Sequence, residues 1–265
     1  MRWSVTVASA VLMAAGLPAG LELNAQEAGA EQRQAAPSQE AAQDQPIGTA
    51  LSDEARGDIF MARKMYREAA ELYMSVKPQT WIQLNKTGIA YHQMGELDIA
   101  KRYYERSIKQ KKDYAEALNN LGAVWYAKKS YRRAVSFYRK ALALQPKSAS
   151  MHSNLGTAYF ARKKYEDAAK EYQVALDLDP DVFEHRSTQG VLLQERTVEE
   201  RAKFHFYLAK TYARAGMAER ALLYIRKALE FGFKDKSKFM EDDDFTPIRT
   251  LPEFAELMKL EPRVL

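Results

Sequence analysis

Gly88, Gly122 and Gly156 are spaced by 34 residues, and so are Tyr91, Trp125 and Tyr159, Ala100, Ala134 and Ala168, and Tyr104, Tyr138 and Tyr172. Ser107, Ala141 and Ala175 add small residues in the same register, and Pro146 and Pro180 are again 34 apart. So many coincident registers mark an internal repeat, which restricts the chain to an array of similar units, each burying its apolar face against the next. Upstream, Gly57, Phe60, Ala69 and Tyr73 match the same features at a spacing of 31. Downstream, Ala209, Tyr212, Ala221, Ile225 and Ala228 match at 53, one repeat plus 19 inserted residues. The repeats therefore run 50–80, 81–114, 115–148, 149–182 and 202–235, with 183–201 inserted.

Within 115–148 the apolar residues fall at Leu118, Leu121 and Trp125, then at Tyr131, Ala134, Val135, Tyr138, Ala141 and Leu142. Both runs have helical spacing, and they break near Lys129-Ser130. Each repeat is thus a pair of helices. Gly122 and Ala134 let the two approach, Ala141 admits the next repeat, and Pro146 blocks continuation of the second helix. Thr197-Val198-Glu199-Glu200 has the form of a capping box and starts a helix that runs into the fifth repeat. Ser187-Thr188-Gln189-Gly190 reads as a turn. Phe239, Phe245, Ile248, Leu251, Phe254, Leu257 and Met258 in the tail 236–265 supply the apolar cap that the end of a stacked array needs.

These residues resemble the tetratricopeptide repeat family, whose pattern is a W-x2-L-G-x2-Y run followed by A-x3-F, A and P. Here it reads Leu118, Leu121, Gly122, Trp125, Ala134, Tyr138, Ala141 and Pro146, then His152, Leu155, Gly156, Tyr159, Ala168, Tyr172, Ala175 and Pro180. The chain departs from the pattern at Lys112, at Ala209 and at Phe233. The resemblance implies an all-α solenoid of five helical hairpins with a C-terminal capping segment. It also implies a groove lined by the first helix of each repeat, which would take an extended peptide or a partner protein. At the family's groove positions stand Lys86, His92, Asn119, Asn120, Tyr126, Asn154, Phe160, Lys203, Phe206 and Lys210. Asn120 and Asn154 share one position, and Tyr126 and Phe160 share another. Asparagine there either meets a ligand or caps local structure. The family's clamp for an acidic chaperone tail is not matched, because Glu54 and Asp58 stand at its basic and amide positions.

Met1-Arg2 followed by the uncharged, mostly apolar run Trp3–Leu17 has the form of a secretory signal peptide, ending at residue 25 or 30. The run is too short to span about 30 Å of hydrocarbon, and no later segment is long enough, so no transmembrane segment is expected once the signal is removed. Residues 26–49 are mainly Ala, Gln, Glu, Pro and Gly and read as a disordered linker. The expected location is periplasmic or secreted.

No cysteine is present, which excludes disulfides, thiolate metal sites and cysteine nucleophiles. No phosphate-cradling loop, H-E-x-x-H or G-x-S-x-G occurs, so neither an enzyme nor a cofactor is expected. His152 and His205 read as packing residues, and His185 in the insertion has no evident partner. Glu241-Asp242-Asp243-Asp244 lacks the alternation of a calcium loop and reads as a solvated turn. Net charge is +5. Basic residues cluster where the paired helices meet: Arg63, Lys64 and Arg67; Lys128, Lys129, Arg132 and Arg133; Arg162, Lys163 and Lys164. They are either solvated or form an edge that contacts an anionic surface. Such an edge suits a charge-driven adaptor in a pilus, secretion or cell-wall assembly. Nucleic acid is not expected as a partner, given the export signal and the lack of a base-stacking pattern.

Overall fold

A computed structural model describes residues 51–184 and 197–260. The signal segment, the linker, His185 and the turn at 187–190 lie outside the described residues. Five antiparallel hairpins follow one another: α1 (Asp53–Ala62) with α2 (Tyr66–Ser75), α3 (Trp81–Gln93) with α4 (Leu97–Gln110), α5 (Ala115–Ala127) with α6 (Tyr131–Leu144), α7 (Ala149–Ala161) with α8 (Tyr165–Leu178), and α9 (Val198–Arg214) with α10 (Ala218–Glu230). A cap follows, made of α11 (Ser237–Glu241), a 3-10 turn at Asp243–Ile248 and α12 (Pro252–Lys259). This is an all-α solenoid. The extra length of α9 comes from its start, where Thr197 accepts from the Glu200 amide and the Glu200 carboxylate accepts from the Thr197 amide.

Helix pairing rests on a repeated lock between a glycine and a tyrosine. A Cβ placed on Gly57, Gly88, Gly122 or Gly156 would lie 2.5–2.7 Å from the ring of Tyr73, Tyr104, Tyr138 or Tyr172 respectively. Those four rings are almost wholly buried. The glycine therefore makes room chiefly for a tyrosine sixteen residues on, and Ala134 and its equivalents are fully buried on the same partner helices. The departure at Ala209 has the same cause, since the residue sixteen further on is Ile225 and an aliphatic side chain leaves space for one methyl group.

Each hairpin turns through the same hydrogen-bond pattern. Ser130 N–H donates to Trp125 O and Lys129 N–H to Tyr126 O, and the other four tips repeat both bonds in the same register. This is the Schellman motif, whose central residue must be left-handed, a conformation that favours glycine. Two tips use glycine, Gly95 (φ +81°) and Gly216 (φ +73°). The other three use Lys64 (φ +60°), Lys129 (φ +58°) and Lys163 (φ +60°). Each lysine carries about 1 kcal/mol of backbone strain that glycine would not.

Stacking is sequential: α2 packs on α3, α4 on α5, α6 on α7 and α8 on α9. The first helices also touch their neighbours directly, α3 with α5 and α5 with α7, whereas the second helices have no comparable mutual contact. The array therefore curves with its first helices on the inside. At the C-terminal end, Phe239, Phe245, Ile248, Phe254 and Leu257 are buried in a core continuous with repeats three to five. Phe206 stacks on Phe233 at 4.6 Å, and Phe239 and Phe245 close on the same ring at 5.2 and 5.8 Å.

The acidic run that leads into the 3-10 turn is solvated only in part, at Glu241 and Asp243. Asp242 caps that turn and pairs with Lys210 at 2.5 Å, and Asp244 receives two hydrogen bonds from Arg214 at 2.7 and 3.0 Å. Its carboxylates fasten the cap to α9. His152 is more than a packing residue. His152 faces Glu171 through Nδ1 at 2.6 Å and the Pro146 carbonyl through Nε2 at 3.0 Å, tying α7 to α8 and to the preceding loop. His205 is stacked on Phe231.

Candidate functional site on the inner helices

The inner face is where the repeat aligns equivalent side chains, and the structure uses much of it to join repeats. Asn120 Nδ2 donates to Asn85 Oδ1, and Asn154 Nδ2 donates to Asn119 Oδ1, both at 3.0 Å. One repeat earlier, Lys86 Nζ bonds Glu54 Oε1 at 2.8 Å in the same relationship. The sixth residue of each of these repeats thus reaches back to the fifth residue of the one before. The four asparagines are no more than 8% exposed. Side chains expected to read a peptide backbone are instead engaged within the array.

The other expected positions divide in two. Phe160 is 4% exposed, enclosed by Tyr165, Phe204 and Tyr207, so it is core and not a docking surface. Lys86 lies between Glu54 and Asp58, and burial of its amine is outweighed by these two carboxylates, which hold its pKa above the ordinary lysine value. Lys210 lies between Asp242 and Asp244. Neither lysine is a bare cation. His92 and Tyr126 remain half-buried on the face, His92 edge-on to Tyr104 and Tyr126 against Tyr131. Burial pushes the His92 imidazole pKa down, so the ring is neutral at pH 7.

What the face offers most clearly is a cleft of about 340 Å³ at its C-terminal end, between α9 and the cap. Its apolar wall is Phe206, Tyr207 and Phe233, and its polar rim carries Lys203, Lys210, Lys238, Glu241 and Asp242. Lys203 leans over the Tyr165 ring, 5.0 Å from its centroid, and Tyr207 stacks on the same ring at 4.8 Å. Lys203 was legible as a groove position. Tyr207 was not, because the cleft exists only where the tail folds back. The asparagine pairs did leave a signal: Asn85–Asn120 and Asn119–Asn154 are 35 apart, one residue more than the repeat. Among the described residues no group of three or more His, Asp or Glu could hold a metal ion, and no helix is long and apolar enough to cross a membrane.

The family model for the tetratricopeptide repeat matches residues 85–149 and 130–182, which cover the second, third and fourth hairpins. No curated protein matches the chain in sequence. Among solved structures, YrrB, described as a tetratricopeptide repeat protein with an unusual peptide-binding site, is 19% identical over 49% of this chain and 69% of its own, with a TM-score of 0.44. MamA from Desulfovibrio magneticus RS-1 is 20% identical over 69% and 95%, with a TM-score of 0.47. The first such domain of Spaghetti (RPAP3), bound to the HSP90 peptide SRMEEVD, is 28% identical over 41% and 86%, with a TM-score of 0.39.

The inter-repeat amide pairs give a direct prediction. Asn120→Ala leaves the Asn85 carbonyl oxygen buried without its donor, which costs about 1–3 kcal/mol. In urea titrations the midpoint of Asn120→Ala should fall. Asn85→Ala with Asn120→Ala, which removes both partners, should lose less than twice as much. An unchanged midpoint for Asn120→Ala would show that the pair contributes nothing to stacking.

Proposed function

We propose that this chain is a non-enzymatic scaffold that binds an extended peptide or a protein segment along its inner helices. The cleft between α9 and the cap would be the principal anchor. The observation that carries this reading is the cleft itself: an aromatic wall bordered by amines at the end of a face whose other polar side chains are largely committed. An apolar side chain of the ligand would rest against Tyr207, beside the largely buried edges of Phe206 and Phe233. Lys203 would meet a carboxylate or a carbonyl beside it. Binding of this kind draws most of its energy from a few enclosed aromatic contacts.

The test is affinity for a partner captured from the cell of origin. Tyr207→Ala with Lys203→Ala should weaken binding by more than about ten-fold, or ~1.4 kcal/mol. Tyr126→Ala, further along the face, should have a smaller effect. Unchanged affinity in the cleft variant, with helicity intact, would refute the reading.

We also propose that the protein works outside the cytoplasm, in the periplasm or secreted, on the strength of Arg2 and the Trp3–Leu17 run. The mature N-terminus should then lie between residues 20 and 31. Recovery of the soluble protein with Met1 intact would overturn export.

A further inference from the structure

Three of the five hairpin tips place lysine where the backbone requires a left-handed residue, and two place glycine. Strain held at an exposed turn calls for a reason beyond folding, because glycine would serve the fold better. All three lysines are exposed, so burial gives no reason. Their neighbours give one. At the third and fourth tips Lys128 is paired with Asp98, Lys164 with Asp167, and Arg133 lies over the Trp125 ring. Lys129, Arg132, Arg162 and Lys163 have no acidic partner among the described residues. Even with exposed Glu166 on the fourth tip, these four cations leave the two adjacent tips with a net positive charge. A shallow cleft of about 440 Å³, broadly open to solvent, lies beside them, lined by Lys129, Ser130, Tyr131, Arg132 and Arg162.

We infer that this cleft at the third and fourth hairpin tips docks a carboxylate-rich segment of a partner protein, forming a second surface apart from the inner face. The distribution of charge along the edge favours a narrow chain over a plane. The second tip carries Glu96 and Asp98, and at the fifth Arg214 and Arg220 are occupied by Asp244 and Asp181. An anionic bilayer laid across all five tips would meet exposed Glu96 beside the basic pair. An acidic chain lying between tips three and four would not. Two guanidiniums in the group suit carboxylates, which they bind in a planar fork. Ser130 and Tyr131 add hydroxyls at the same opening.

The strained conformation supplies a variant that separates charge from folding. Lys129→Gly with Lys163→Gly removes two charges and relieves the backbone, so its melting temperature should equal or exceed that of the unchanged protein. The probe is fluorescein-labelled decaglutamate, read by anisotropy with the full chain at about 50 mM and about 500 mM salt. The double glycine variant should bind at least about ten-fold more weakly at the lower salt. Lys109→Ala with Lys112→Ala removes equal charge from exposed sites elsewhere and should bind as the parent does. The glycine variant leaves the inner-face cleft untouched, which keeps this result separate from the fate of that cleft. The inference is overturned if the glycine variant keeps its affinity, or if the Lys109 and Lys112 variant loses as much. It is equally overturned if vesicles of phosphatidylglycerol in phosphatidylcholine bind in a manner that depends on Lys129 and Lys163 while decaglutamate does not.

Discussion

Phe239→Ala should cost about 3–5 kcal/mol, and so should Phe245→Ala. Both rings are fully buried, and they meet Phe206 and each other with centroids 5.2–5.8 Å apart. Because they share neighbours, the double variant should lose less than the sum. Its loss would still be comparable to the whole stability of an ordinary domain, about 5–15 kcal/mol. Removing residues 236–265 should go further and expose Phe206 and Phe233, giving aggregation. Thermal unfolding and light scattering would measure both. A monomeric truncation with an unchanged melting curve would show that the cap does not close the core. The cap is also acid-sensitive. Burial alone would raise the Asp244 pKa, but hydrogen bonds from Arg214 and Lys210 outweigh it and hold the carboxyl below the usual range. A folded-state pKa below the unfolded value gives stability that is present above about pH 4 and lost as pH falls through the folded value. Asp244→Asn should therefore lower the melting temperature at pH 7 and flatten its fall in acid.

The second large effect lies in the glycine–tyrosine lock. Tyr138→Ala should cost about 3–5 kcal/mol, since it empties a fully buried ring site. Gly122→Ala should cost about 1–3 kcal/mol in the parent, because the new methyl would lie 2.7 Å from the Tyr138 ring, which has no free space to move into. In the Tyr138→Ala background the same change meets no ring. Its cost should disappear or reverse, as alanine is the better helix former. Denaturant titrations of the four proteins close the cycle. Additive losses would mean that Gly122 and Tyr138 act independently. The pair Ala209 and Ile225 is the protein's own version of the relaxed combination.

The inner face was partly legible. Its positions follow from the repeat, but their roles depend on contacts between successive repeats. Asn120 and Asn154 share a register, which suggests a row of amides facing a ligand. The 35-residue spacing to Asn85 and Asn119 instead joins each amide to the repeat before it. Lys86 and Lys210 look like isolated groove cations along the chain. In space each meets two carboxylates, from the first hairpin in one case and from the cap in the other. Acidic residues 28 and more positions away carry no local signature of such pairing.

The order of helices was determined by the sequence alone, because period, small residues and turn breaks are local properties that every repeat states again. The lock between Gly122 and Tyr138 was also implicit, since both recur in one register and a fixed separation along a hairpin gives a fixed separation in space. Tertiary structure decided which surfaces stay open. The tail folds back onto α9, so its acidic run becomes a clamp and Lys238, Glu241 and Asp242 close a cleft against Phe206 and Tyr207. The turn tips take their conformation from the Schellman hydrogen bonds, so lysine is left-handed at three of them although its own preference opposes it. Burial and charge pairing depend on what arrives from elsewhere in the chain. A repeat pattern specifies its own neighbours but not the segments that end the array.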